Sequence, residues 1–206
     1  MVAVAPPPPA RPPRPIIVTL AAGTTLRRIY NPAFPGFRYY GPLAQRFDHH
    51  LGTPGRGRPA TGARGIYYAA PSLACCLVEV FGDRGLIEIG DEMLVITQIG
   101  RPLRLLDLRR RAAMRAGTVV ALAGIRDRRL TQAWSRCFYE RTDLYGQVDG
   151  LLYPGAHNGA DALALYERTE DALTSAAATS IVQRLGDPAL DAELRAITRA
   201  HGLDMT

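Results

Sequence analysis

Lysine is absent from this chain of 206 residues, so all 25 of its basic side chains are arginines. Cysteine is scarce: Cys75 and Cys76 are adjacent in an apolar stretch, and Cys137 stands alone between Arg136 and Phe138. Three thiols without metal-ligand spacing exclude a disulfide framework and read as buried, inert sulfur in a cytoplasmic protein. No stretch reaches the ~18 uninterrupted apolar residues of a membrane span, and no basic segment precedes an apolar run as in a signal peptide. Of His49, His50, His157 and His201, no two have helical i, i+4 spacing, so no metal is expected. The GxxxxGK, GxGxxG, HExxH and GxSxG patterns are missing as well, which removes the common nucleotide and hydrolase signatures.

What is present is the composition of a globular domain, 47% hydrophobic and 21% charged, long enough to bury about 70% of its unfolded surface. The net charge of +6 sits entirely on planar guanidinium forks, which grip phosphates and carboxylates in bidentate fashion, so the expected ligand is anionic. Charge alone does not separate nucleic acid, a phosphate-rich metabolite and an acidic protein.

Residues 1–15 carry seven prolines and read as a polyproline II or disordered arm outside the core. Short strands are expected at 16–20, 26–30, 66–70, 93–99, 103–108, 149–153 and 162–167, with a weaker apolar run at 118–124. Between the second and third, residues 31–65 hold five prolines and seven glycines and read mainly as loop. Pro71 and Ser72 open a helix that runs to about Phe81 and ends at Gly82. An amphipathic helix is expected near 127–141, and 171–206 reads as a helical extension on the same domain as 16–170, its last helix opened by Asp187 and Pro188. Sheet cover, a homodimer contact and a partner surface all remain open as uses of that extension. The irregular order of elements implies an α+β fold with a mixed or largely antiparallel central sheet.

Six blocks, LRRI at 26–29, QRFDHH at 45–50, GIYYAAPSLACCLVEVF at 65–81, TQAW at 131–134, DGLLYPGAHN at 149–158 and ALALYER at 162–168, make the chain resemble the RES domain family over roughly 24–170. The resemblance implies an ADP-ribosyltransferase-like fold, and an enzyme that consumes NAD+ by phosphorolysis, hydrolysis or ADP-ribosyl transfer. It also implies a toxin neutralised by a small helical antitoxin of Xre or related type. By motif it assigns Arg28 and Arg46 to the family arginines, Tyr68 to the family tyrosine and Glu79 to the family glutamate. One position departs: where the family has serine followed by arginine, this chain has Gly155 and Ala156.

The chemistry of the residues agrees with that assignment. Expelling nicotinamide builds positive charge on ribose, which calls for one carboxylate rather than an acid and base pair. Glu79 is the only acidic residue between Asp48 and Asp83 and sits in an otherwise apolar helix, where an unpaired charge costs several kcal/mol unless a polar cleft receives it. A helix-end carboxylate reaching solvent or an arginine is the plain alternative. Arg28 and Arg46 are expected to clamp the pyrophosphate and Tyr68 to contact nicotinamide or ribose, unless it is core. His157 and Asn158 are expected to supply donors in place of the missing hydroxyl, or to be turn residues. Two other functions stay open: a weakened relative that binds a dinucleotide or a protein, and a basic nucleic-acid module using the LRRR and RDRR runs at 108–111 and 126–129, the least favoured of the three. For the toxin, the excess arginine is expected to meet an acidic antitoxin.

Overall fold

This computed structural model describes residues 3–39, 45–50, 64–175 and 179–206. In chain order the strands are β1 (Ile17–Leu20), β2 (Thr25–Tyr30), β3 (Ile66–Ala69), β4 (Leu86–Ile87), β5 (Met93–Gln98), β6 (Leu103–Asp107), β7 (Gly150–Pro154), β8 (Asp161–Tyr166), β9 (Ile181–Arg184) and β10 (Asp204–Met205). The helices are α1 (Leu73–Phe81), α2 (Arg110–Arg115), α3 (Arg128–Glu140), α4 (Thr142–Tyr145), α5 (Glu170–Thr174) and α6 (Asp191–His201). A five-stranded sheet runs β1-β6-β7-β8-β3, with β6 and β7 parallel and its other neighbours antiparallel. That parallel step is bridged by α2, α3 and α4, the long crossover that parallel strands require. An antiparallel sheet β2-β5-β9 and a parallel pair β4-β10 complete the α+β architecture expected from the element order.

Strand periodicity sorts side chains into two cores, one on each face of the large sheet. From β8, Ala162, Ala164 and Tyr166 join Leu77, Phe81, Trp134 and Phe138 of α1 and α3, whereas Leu163 and Leu165 pack with Leu103, Leu105 and Leu173 on the opposite face. The same alternation separates the adjacent tyrosines of β3: Tyr67 enters the second core and Tyr68 packs against the first, on the side of α1. Where the two larger sheets meet, the Arg27 and Ala70 backbones exchange hydrogen bonds of 2.7 and 2.9 Å just before α1 begins.

Several expectations need correction. The 171–206 extension is not simply helical, because β9 pairs with β5 and β10 pairs with β4. Four residues at a sheet edge with Ile181 and Val182 both exposed carry no legible period. The proline-rich arm touches the core: Val4 packs against it, and Trp134 Nε1 donates to the Ala5 carbonyl at 2.8 Å. Proline removes donors but leaves acceptors, so such an arm can still satisfy a buried indole. The run at 118–124 is a 3-10 turn, Val120–Ala123, rather than a strand. Of the loop expected over 31–65, residues 31–39, 45–50, 64 and 65 contain no helix or strand, and the rest lies outside the described residues.

Candidate active site

A cleft of about 820 Å³ opens at the junction of the two larger sheets, lined by residues of β2, β3, α1, β7 and the segments at 45–46 and 124–128. It lies within the ~300–1,000 Å³ range of small-molecule sites. α1 forms one wall. Its start is fixed by the Ser72 hydroxyl, which accepts from the Cys75 amide at 3.2 Å. Glu79 lies in its last turn, where a carboxylate opposes the helix dipole and so does not serve the helix itself. The side chain lines the cleft, and one oxygen accepts from the His157 amide at 3.4 Å. Helix α1 stops at Gly82, but that residue has an ordinary helical φ of −61°. A Cβ there would lie 3.0 Å from the His157 ring, so any larger residue would press on the side chain that lines the cleft.

Arg46 faces the same cleft from an irregular segment whose polar groups are bonded one by one. Thr131 Oγ1 donates to the Arg46 carbonyl, Gln132 Nε2 donates to the Gln45 carbonyl at 2.9 Å, and the Gln45 amide donates to Asp48 at 2.9 Å. The Tyr68 hydroxyl accepts from the Phe47 amide at 2.9 Å and donates to Asp48 at 3.1 Å. Burial, and then the negative charge of Asp48, hold the Tyr68 phenol well above its usual range. Arg46 Nη1 donates to the Ile125 carbonyl at 2.6 Å, and burial followed by the charge of Arg128 holds its guanidinium below the usual arginine range.

Arg28 lines the cleft but is only 4% exposed, with its guanidinium 4.5 Å over the Tyr67 ring and Nη1 donating to the Arg38 carbonyl at 2.9 Å. Arg27 is outside the lining and donates to the Pro71 carbonyl. Glu79, Arg28, Arg46, Tyr68 and His157 thus share one cavity. Asn158 does not: its amide oxygen closes the turn onto Ala160 and its nitrogen meets His201 Nε2 at 3.3 Å. An asparagine in a turn satisfies its own backbone first.

Asp48, Tyr153, Arg126 and Arg128 are not legible as site residues in the sequence, whereas Gly155 is. Asp48 is buried and acts through Tyr68 and Gln45. Tyr153 closes the back of the cleft, with burial and then the charge of Glu79 raising its phenol. Arg126 and Arg128 line the cleft although the RDRR run reads as a solvated face; the N-cap at Asp127 was the available signal that this run turns into a helix there. Gly155 sits against the carboxylate: a Cβ at this position would lie 3.0 Å from Glu79 Oε1, 3.3 Å from the Ala160 carbonyl and 3.4 Å from Cys75 Sγ. Burial pushes the Cys75 and Cys76 thiols up to about 12, so both stay protonated. Among the described residues no group of three metal-capable side chains occurs, and no helix is long and apolar enough to cross a membrane.

No curated protein matches the chain. A chain of the crystal structure of the M. tuberculosis MbcT–MbcA toxin–antitoxin complex superposes with a TM-score of 0.55 at 20% identity, covering 89% of this chain and 93% of that one. At that identity the likeness carries the fold alone. A family model described as the RES domain matches residues 25–191, a span that holds every cleft-lining residue named above, and the chain therefore belongs to the RES family.

Proposed function

We propose that the cleft binds NAD+ and cleaves its nicotinamide–ribose bond, and that the protein is the toxin of a toxin–antitoxin pair. The observation that carries the reading is the placement of Glu79, Arg28 and Arg46 on one small-molecule cleft. As the glycosidic bond breaks, its electron pair returns to the pyridine nitrogen and nicotinamide leaves neutral. The ribose carbon becomes cation-like and bonds to water, phosphate or a protein side chain, a protic acceptor giving up its proton to solvent. Glu79 stabilises that developing charge, with its oxygen steadied by the His157 amide. Arg46 and Arg28 hold the diphosphate side of the dinucleotide. Tyr68 contributes its ring as cleft wall while its hydroxyl fastens the Arg46 segment. A toxin–antitoxin complex as structural neighbour, together with the net charge of +6, supports a small acidic helical antitoxin, of Xre or related type, as partner in the cytoplasm.

Nicotinamide release from NAD+ by the purified protein tests the reading. Glu79→Ala is expected to abolish release while circular dichroism and melting temperature stay near wild type. Turnover by Glu79→Ala at the wild-type rate refutes the mechanism. Gly155 favours one alternative, a weakened relative that binds NAD+ without cleaving it; calorimetric binding with no nicotinamide released identifies that case.

A further inference from the structure

Arg46, Arg126 and Arg128 all line the cleft, whose carboxylates among the described residues, Glu79 and Asp83, come from α1 and the turn that follows it. The Arg46 bond to the Ile125 carbonyl ties its guanidinium to the turn that carries Arg126 and leads into α3, whose first residue is Arg128. Asp127, between the latter two, is spent as the N-cap: its Oδ1 accepts from the Arg129 and Leu130 amides at 3.0 and 3.2 Å. Among the described residues the Arg126 and Arg128 side chains make no hydrogen bond, ion pair or ring contact, yet both line the cleft. Arg101, Arg109, Arg141 and Arg195, by contrast, each meet carboxylates at 2.7 to 3.3 Å. Arg46 is half-buried while Arg126 and Arg128 are exposed, and like charges gathered on the cleft repel one another unless an anion joins them. Arg28 does not join this group, being held over Tyr67 and against the Arg38 carbonyl.

We propose that Arg46, Arg126 and Arg128 form a phosphoryl-anion site, in which Arg126 and Arg128 receive non-bridging phosphoryl oxygens of the ligand. The assignment deepens the proposed function, on which it rests, by moving the main anion contacts from β2 to the turn before α3. The ligand chemistry is that of a phosphate or diphosphate, supplied by the dinucleotide itself or by free phosphate. Planar forks suit either, because each can pair two oxygens of one phosphoryl group.

Isothermal titration of the full chain with inorganic pyrophosphate and with ADP-ribose tests the site. Arg126→Ala and Arg128→Ala are each expected to weaken both ligands about three- to tenfold, a modest loss for a charge-assisted contact because both arginines are exposed. The double variant should raise KM for NAD+ with kcat nearly kept. Arg129→Ala, whose side chain is outside the cleft lining, should leave these values unchanged. Wild-type pyrophosphate affinity in the double variant overturns the site even if NAD+ is cleaved. Arginine-dependent pyrophosphate binding without any nicotinamide release keeps the site and refutes the enzyme reading instead. Added inorganic phosphate separates the sources. Competitive inhibition against NAD+ that both alanine variants relieve assigns the site to the dinucleotide, and acceleration lost in those variants assigns it to free phosphate. Phosphate effects identical in wild type and variants overturn it.

Discussion

Replacing Gly155 by serine tests how Glu79 is held. The backbone at 155 is not left-handed, so a side chain meets no torsional strain there. Its Cβ would lie 3.0 Å from Glu79 Oε1, which asks the carboxylate to yield by a few tenths of an ångström. The carboxylate can do so, because it is the end of a flexible side chain secured by one 3.4 Å bond from the His157 amide, while the Ala160 carbonyl, 3.3 Å from that Cβ, leaves the backbone only a few tenths of an ångström to give. A hydroxyl on that Cβ then reaches the carboxylate. A charge-assisted bond contributes about 1.5–3 kcal/mol when fully desolvated. Glu79 is half-buried, and a discounted value of about 1–2 kcal/mol corresponds to roughly five- to thirtyfold in rate if the bond persists in the transition state. Nicotinamide release is the assay, with Gly155→Ala as the control that supplies the same crowding without the hydroxyl. Serine is expected to exceed glycine and alanine to fall at or below it, with both variants keeping melting temperatures near wild type. Equal turnover by the serine and alanine variants, or loss of the folded state in both, refutes the reasoning.

Two further outcomes follow from the geometry around the cleft. Tyr68→Phe keeps the ring but removes the hydroxyl's bonds with the Phe47 amide and Asp48, so it should cost about 1–3 kcal/mol, a drop of roughly 2–12 °C in thermal melting. Because the Arg46 segment loosens, KM for NAD+ should rise more than kcat falls; an unchanged KM contradicts this. Acid should destabilise the protein in two stages, read by fluorescence-monitored unfolding against pH. Burial holds the fully enclosed His49 ring below its usual range, so its contribution is complete above about 6.5 and is lost as pH falls below that value. Burial alone would raise Glu167, but the His49 ring 3.3 Å away and the bonds from Tyr139 and the Gly65 amide outweigh it and bring the carboxyl to about 2. That contribution, of order 3 kcal/mol at most, is present above about 4.5 and disappears between there and about 2. Glu167→Gln should abolish the lower stage, and persistence of that stage in the variant contradicts the assignment.

The amino-acid sequence alone determined what short-range physics controls. The short apolar run ALALY marked β8 as a strand, Ser72 set where α1 begins, and Asp127 set the start of α3, because strand pattern and capping act within a few residues. It also set aside Glu79, since a carboxylate in an apolar helix has few uses other than a cleft. Tertiary structure decided everything that depended on which distant segments meet. It turned the Tyr68 hydroxyl from an expected ligand contact into a fastener for Asp48 and Phe47, swung Asn158 toward His201, and placed a four-residue edge strand at 181–184 with no period of its own. It brought Arg126 and Arg128 beside Arg46 through a single bond to the Ile125 carbonyl. Such pairings span some 80 positions of chain between Arg46 and Ile125, and no local pattern encodes a contact whose partners are chosen only when the two sheets close on one another.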